Sequence, residues 1–514
     1  MSEPLPALNE SVKDAPLTLP VDAPPVGRSL AWGMKWSSVH VVWVFAARVG
    51  RGLVIPKLLT PAQYGLMASI NVLINYSQYA DVGMKYYLAK QLPYTLHNKG
   101  KEGYQELANK GSTWTLICSG LFALVLIVWS CLQTGGNAWF YRPALRILAA
   151  IVVCGRIREF LGIMLFGKEE FRFASLGSMI ADSVAFLVCV IGLLTFGLLG
   201  AVVGMLVGEI AGSAYYLRFV RFRPAAVPVT ELHHMLGASM SLLIVALMDA
   251  LLMTVDQLFL LKFFDKDQYG IYSLGLAMAT IALSVSAVFI NALQPRVMSL
   301  TGRGLRREAH FLVDSSITLY MTSVLVLLGG MLPAIAIFVR VYLPKYASGI
   351  PVYVLICGFA LARGPAILLR AFYISQNREK RLVAYQAAGV VLTTVSAAAA
   401  IYLHAGVIGI TMSALAGFSL LSILMLFEFE RAENGSVSLT KYWVMGFGLA
   451  VIVGTYKAFE RFAPLAHLPQ YAAKVSLVGC CCIAASAMLV AFSWSHLKRA
   501  ILPLRAVSGT EPTV

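Results

Sequence analysis

Runs of roughly 20 apolar residues, the length that crosses a bilayer core as a helix, recur along the chain between short polar stretches. They fall at 29–56, 64–90, 112–133, 143–166, 173–195 and 198–220, and then at 234–262, 268–294, 311–339, 350–374, 382–403 and 405–427. Two more lie at 441–462 and 471–494. The pattern predicts an all-α polytopic membrane protein of about fourteen transmembrane helices.

An internal echo groups these runs. Lys57-Leu-Leu-Thr-Pro-Ala-Gln-Tyr-Gly65 returns about 205 residues later as Lys262-Phe-Phe-Asp-Lys-Asp-Gln-Tyr-Gly270. At nearly the same offset Gly167-Lys-Glu-Glu-Phe-Arg172 is echoed by Gln376-Asn-Arg-Glu-Lys-Arg381. Two pseudo-symmetric six-helix bundles are therefore expected, an N-lobe over 28–222 and a C-lobe over 223–430. Two helices within 431–496 have no partner in the repeat, and a disordered Pro-rich tail at 1–27 and a tail at 497–514 flank the whole.

Composition narrows the class. The 514 residues are 59% hydrophobic and 13% charged, with a mean hydropathy of +0.75, whereas a soluble chain carries about 25% charged residues. A net charge of +16 would suit nucleic acid, but the basic residues sit in short loops, where they report membrane orientation. Lys99, Lys101, Lys168, Arg221, Arg306, Arg378 and Arg431 fall in alternate loops. Both termini are thus expected in the cytoplasm, with the two Gln-Tyr-Gly turns facing out. No loop is long enough for a folded catalytic domain, and no phosphate-binding glycine loop is present. The eight cysteines lie mostly inside apolar runs without metal-ligand spacing. Neither a metal nor another cofactor is expected.

The predicted helices are unusually polar. Arg48 and Arg51 fall in the first, Asp81 and Lys85 in the second, Arg156, Arg158 and Glu159 in the fourth, and Asp182 and Glu209 in the next two. Asp249 and Asp256 follow in the seventh, and Arg363 and Arg370 in the tenth. A charge at mid-bilayer costs about 2.5 to 3.5 kcal/mol, so most must face each other or a wet cavity. Asn71, Asn75, Gln78 and Lys85 share one helical stripe. Arg51 and Asp256 occupy equivalent places in the two copies. They form either an ion pair across the lobes that closes the outer side, or separate pairs within each lobe.

The run from Arg48 through Gly65, the Ala80-Asp-Val-Gly83 turn and the Gly167-Lys-Glu-Glu-Phe turn resemble the polysaccharide biosynthesis proteins of the multidrug/oligosaccharidyl-lipid/polysaccharide (MOP) exporter superfamily. Within it they are similar to the Wzx-type O-antigen and exopolysaccharide flippases, in layout over about residues 30–430. The resemblance implies a V of two bundles in the bacterial inner membrane that moves an undecaprenyl-diphosphate-linked oligosaccharide to the periplasmic leaflet. Twelve helices are common in such flippases and fourteen occur in the lipid II flippase branch, and both branches stay open. Membrane lipids, a polysaccharide polymerase and glycosyltransferases are the implied partners, and a monomer is expected.

For that task Arg48, Arg51, Arg156, Arg363 and Arg370 are the candidate headgroup contacts, because guanidinium groups suit phosphate oxygens. Asn71, Asn75 and Gln78 are the candidate sugar-binding residues. Asp256, Asp249, Asp182 and Glu209 are candidates for proton or sodium coupling or for gating, and equally for fixed partners of nearby arginines. Two alternatives remain. One is a MATE-like ion-coupled exporter of drugs or organic cations, which would want a carboxylate-lined cavity. The other is a membrane polysaccharide polymerase or ligase, for which the outward stretches 134–142 and 340–349 are short.

Overall fold

The computed structural model describes residues 36–434 and 441–454, apart from 37, 38, 41, 42, 45, 48, 49, 169, 303, 377, 443, 444, 447, 451 and 453. Both predicted tails, the span expected at 471–494, Cys480 to Cys482 and the candidate Arg48 lie outside the described residues. Every regular element among the described residues is helical. α1 (50–58) is followed by α2 (Pro61–Ser77), α3 (Met84–Leu132), α4 (Ala138–Gly167) and α5 (Phe171–Tyr216). After a linker come α6 (Val229–Leu252), α7 (Val255–Phe263), α8 (Lys266–Gly302), α9 (Arg306–Tyr342), α10 (Ile350–Ser375), α11 (Glu379–Tyr402) and α12 (Gly406–Asn434).

By length and apolarity, six described helices can cross a membrane, or seven if the bent α6 is one span. The predicted fourteen is not reached among the described residues, partly because the predicted runs and the observed helices divide the chain differently. α5 contains two predicted spans, and Gly197 (φ +65°, ψ −147°) folds it back on itself between them. The two arms approach so closely that Gly192 and Gly200 leave no room for a side chain on either, and Cys189 Sγ donates to the Ala201 carbonyl at 3.0 Å. Gly100 (φ +69°) turns α3 in the same way, so its arms 84–99 and 101–132 reach into what looked like a loop.

The expected second span, 64–90, is broken at 78–83. Ala80-Asp-Val-Gly83 supplies the reason. Asp81, buried, accepts hydrogen bonds from the backbone N–H groups of Gly83 (3.2 Å) and Lys85 (3.0 Å) and so caps the start of α3. Val82 and Gly83 take positive φ to make the turn. Lys85 therefore does not continue the stripe of Asn71, Asn75 and Gln78. The seventh predicted span, 234–262, is likewise interrupted at Met253 and Thr254, which separate α6 from α7.

α4 packs against both α3 and α5, α8, α9 and α12 surround α10, most of whose residues are buried, and α6 and α7 pack on α11 and α12. The linker between the two groups is strapped onto α3. Gln105, Asn109 and Thr113, one helical turn apart, bond to the backbone of Arg221, Arg223 and Ala225 at 2.8 to 2.9 Å. Contact between the groups comes from α2 against α8 and α3 against α6.

Candidate functional site

The repeated motif closes one end of the bundle. In its first copy Thr60-Pro-Ala-Gln63 forms a capping box: Thr60 Oγ1 accepts from the Gln63 N–H at 3.3 Å, and Gln63 Oε1 from the Thr60 N–H at 3.0 Å. α2 therefore starts at the motif, and α8 starts at the second copy. The two glycines meet. A Cβ on Gly65 would clash with the Lys266 carbonyl, and one on Gly270 with the Pro61 carbonyl. Around them Lys57 stacks on Tyr342 at 3.9 Å, Lys266 on Tyr141 at 6.0 Å, and Tyr64 packs edge-on against Tyr346. Deeper in, the Tyr76 and Thr254 hydroxyls join the breaks in the two interrupted spans.

Beyond this closure lies a cavity of about 1260 Å³. Its wall runs from Asp249 and Arg363 to Arg378 and Glu379 at the start of α11, and to Arg306 at the start of α9, so it reaches the end opposite the Gln-Tyr-Gly turns. Lys90, Arg306, Arg363, Arg370 and Arg378 line it, against the carboxylates of Asp249 and Glu379. One guanidinium nitrogen of Arg363 donates to both Asp249 oxygens, at 2.9 and 2.8 Å, and Arg370 reaches the same carboxylate at 3.4 Å. Two cations thus share one anion. Arg378 also stands 3.7 Å from Glu428, which accepts from Arg381, Tyr373 and Tyr385 and fixes the rim.

Of the candidate headgroup residues, Arg363 and Arg370 line this cavity. Arg51 and Arg156 do not line it and are held in ion pairs within their own group of helices. Arg51 donates to Asp182 at 3.1 Å. Arg156 pairs with Glu159 and donates to the Gln78 carbonyl at 3.3 Å, while Lys85 joins Glu159 at 3.4 Å. Arg158 takes Glu209 through contacts of 2.5 and 3.3 Å. Asn71 and Asn75 lie on exposed positions of α2, and neither they nor Gln78 line the cavity.

An ion pair of Arg51 with Asp256 is not formed. Asp256 is 2% exposed and accepts from the Tyr272 hydroxyl and from the Gln257 N–H at 2.8 Å. Each charge finds its partner inside its own group of helices, and the Gln-Tyr-Gly end is closed by backbone approach at two glycines instead. Among the four coupling candidates, Asp249, Asp182 and Glu209 each meet an arginine, whereas the polar partners found for Asp256 are a phenol and a backbone N–H.

Arg306 and Arg378, orientation signals in the sequence, line the cavity, as does Lys90, and so do Ser286, Gln294, Thr301 and Gln386, which the sequence pattern does not single out. One signal was available. Ser286, Ile290, Gln294, Met298 and Thr301 recur at steps of four, four, four and three, a polar-spotted stripe on α8.

A family described as "Polysaccharide biosynthesis protein" matches residues 54–303. No curated protein matches the chain in sequence. Among solved structures, the lipid II flippase MurJ in an inward closed conformation superposes with a TM-score of 0.66 at 11% identity, covering 91% of this chain and 100% of that one. An inward-facing multidrug resistance MATE family transporter of the MOP superfamily gives 0.57 at 12%, covering 76% and 94%. A point mutant of the Vibrio cholerae MATE transporter VcmN gives 0.59 at 14%, covering 80% and 97%. The fold is that of these transporters.

Proposed function

We propose that this multi-pass membrane protein is a flippase that carries a polyprenyl-diphosphate-linked oligosaccharide from the cytoplasmic to the periplasmic leaflet. The observation that carries the reading is the cavity, with five cationic side chains against two carboxylates. A diphosphate cannot enter hydrocarbon unaided, whereas its polyprenyl tail can remain in lipid. The positive-inside distribution of loop charges supports a cavity mouth at the cytoplasm. Arg306, Arg378 and Lys90 then meet the headgroup first. Arg370 and Arg363, two turns apart on α10, bring their guanidinium groups together at Asp249 and receive it deeper in. Asp249 keeps these two guanidinium groups aligned and solvated by charge while the cavity is empty. Release requires the cavity to close and α2 to part from α8 at the Gln-Tyr-Gly end.

An exporter of organic cations on the same fold would be opposed by this surplus of positive charge. Arg363→Glu and Arg370→Glu test the reading. Each is expected to abolish appearance of the lipid-linked glycan at the outer leaflet while membrane levels of the protein stay normal. Full export by both variants would refute it. Of the coupling candidates Asp256 is favoured, because arginines engage the other three.

A further inference from the structure

The α11 stripe that packs inward is Leu382, Gln386, Gly389, Thr393, Ala397 and Ala400. Gln386 stands out on it. The side chain lines the cavity and is only 2% exposed, yet its Oε1 has no hydrogen-bond partner. Thr393, two turns along the same stripe, satisfies itself by donating to the Gly389 carbonyl at 2.9 Å. A buried polar atom left without a partner is costly, and such atoms point to a group that arrives later.

We propose that Gln386 is a specificity-determining residue that reads the sugar next to the diphosphate, with Gln294 and Ser286 of α8 completing the subsite; the proposal rests on the flippase reading above. The chemistry separates sugar from phosphate. Oε1 is an acceptor and needs a donor, which an ionised diphosphate cannot supply and a sugar hydroxyl or acylamino N–H can. Ser286 already gives its proton to the Leu283 carbonyl at 2.5 Å, so its oxygen likewise offers an acceptor. Arg363 adds the complementary anion contact within the same cavity. A phosphate site and a hydroxyl site in one chamber match a glycosyl diphosphate better than they match a bare lipid phosphate.

The test uses the full-length protein in nanodiscs with two probes, undecaprenyl diphosphate and undecaprenyl-diphosphate-N-acetylglucosamine. The native protein should hold the sugar-bearing lipid about tenfold more tightly, the worth of one buried hydrogen bond. Gln386→Leu should bring that ratio close to one, and Arg363→Gln should weaken both lipids while keeping the ratio. Gln386→Met serves as a second variant should Gln386→Leu fail to accumulate. Equal binding of the two lipids by the native protein, or a ratio that survives Gln386→Leu, overturns the subsite and leaves the flippase reading standing. Failure of the native protein to bind either lipid overturns both.

Discussion

Replacing Gly270 with alanine puts a methyl group into the contact that closes the Gln-Tyr-Gly end. Its Cβ would lie 2.7 Å from the Pro61 carbonyl carbon and 3.0 Å from the Gly65 nitrogen, with the Pro61 oxygen nearer still. Ordinary contact begins at 3.4 Å, so these two atoms alone are too close by 0.7 and 0.4 Å. The obstacles are backbone atoms at the first turn of α2, which cannot swing aside as a side chain would. α2 and α8 must therefore separate. Overpacking of this kind costs about 1 to 3 kcal/mol, and because only the closed form pays it, the closed-to-open ratio should fall by about 5- to 150-fold. Gly65→Ala acts on the same contact through the Lys266 carbonyl. The double variant should thus cost less than the sum of the two.

Thiol accessibility reads the shift. Thr254, 4% exposed at the junction with Tyr76, is changed to cysteine after the eight native cysteines are replaced, and a membrane-impermeant maleimide is added to intact cells. Labelling from outside should be slow with both glycines present and should accelerate within the stated range in Gly270→Ala. Unchanged labelling together with normal export would show that the helices close by some other contact. The reasoning from glycine approach to gate closure would then be wrong.

Two further outcomes follow from the ion pairs. Arg51→Asp combined with Asp182→Arg should recover export that either single change reduces, because the pair lies within one lobe at 3.1 Å, whereas Arg51→Asp with Asp256→Arg should recover nothing. Export assays on the three single and two double variants decide between them. Asp256→Asn should keep the hydrogen-bonding shape beside Tyr272 but remove the ionisable group, so flipping in proteoliposomes should no longer respond to an imposed proton gradient. A gradient response equal to that of the native protein removes Asp256 as the coupling site.

How much was legible in the sequence depended on whether a feature was local. The apolar runs announced membrane helices because span length and loop charge are properties of contiguous stretches. The Gln-Tyr-Gly echo marked α2 and α8 as equivalent, and Thr60 to Gln63 carried the capping box in their letters. Arg363 and Arg370 were recognisable as costly charges that needed a wet surface. Partners were another matter. Nothing local distinguishes Arg51, held by Asp182 131 residues away, from Arg363, which faces the cavity, since both are arginines in apolar helices. The break at Asp81 hid inside a run that is apolar enough to continue, because a buried carboxylate capping a new helix start costs the hydropathy profile almost nothing. The use of the repeated glycines was also invisible until Gly65 and Gly270 were seen against each other's backbones. The chain by itself determined the class, the duplication and the supply of charges. Tertiary packing alone decided which charges cancel and which line the chamber, because an ion pair between helices is fixed by distances that no sequence spacing records.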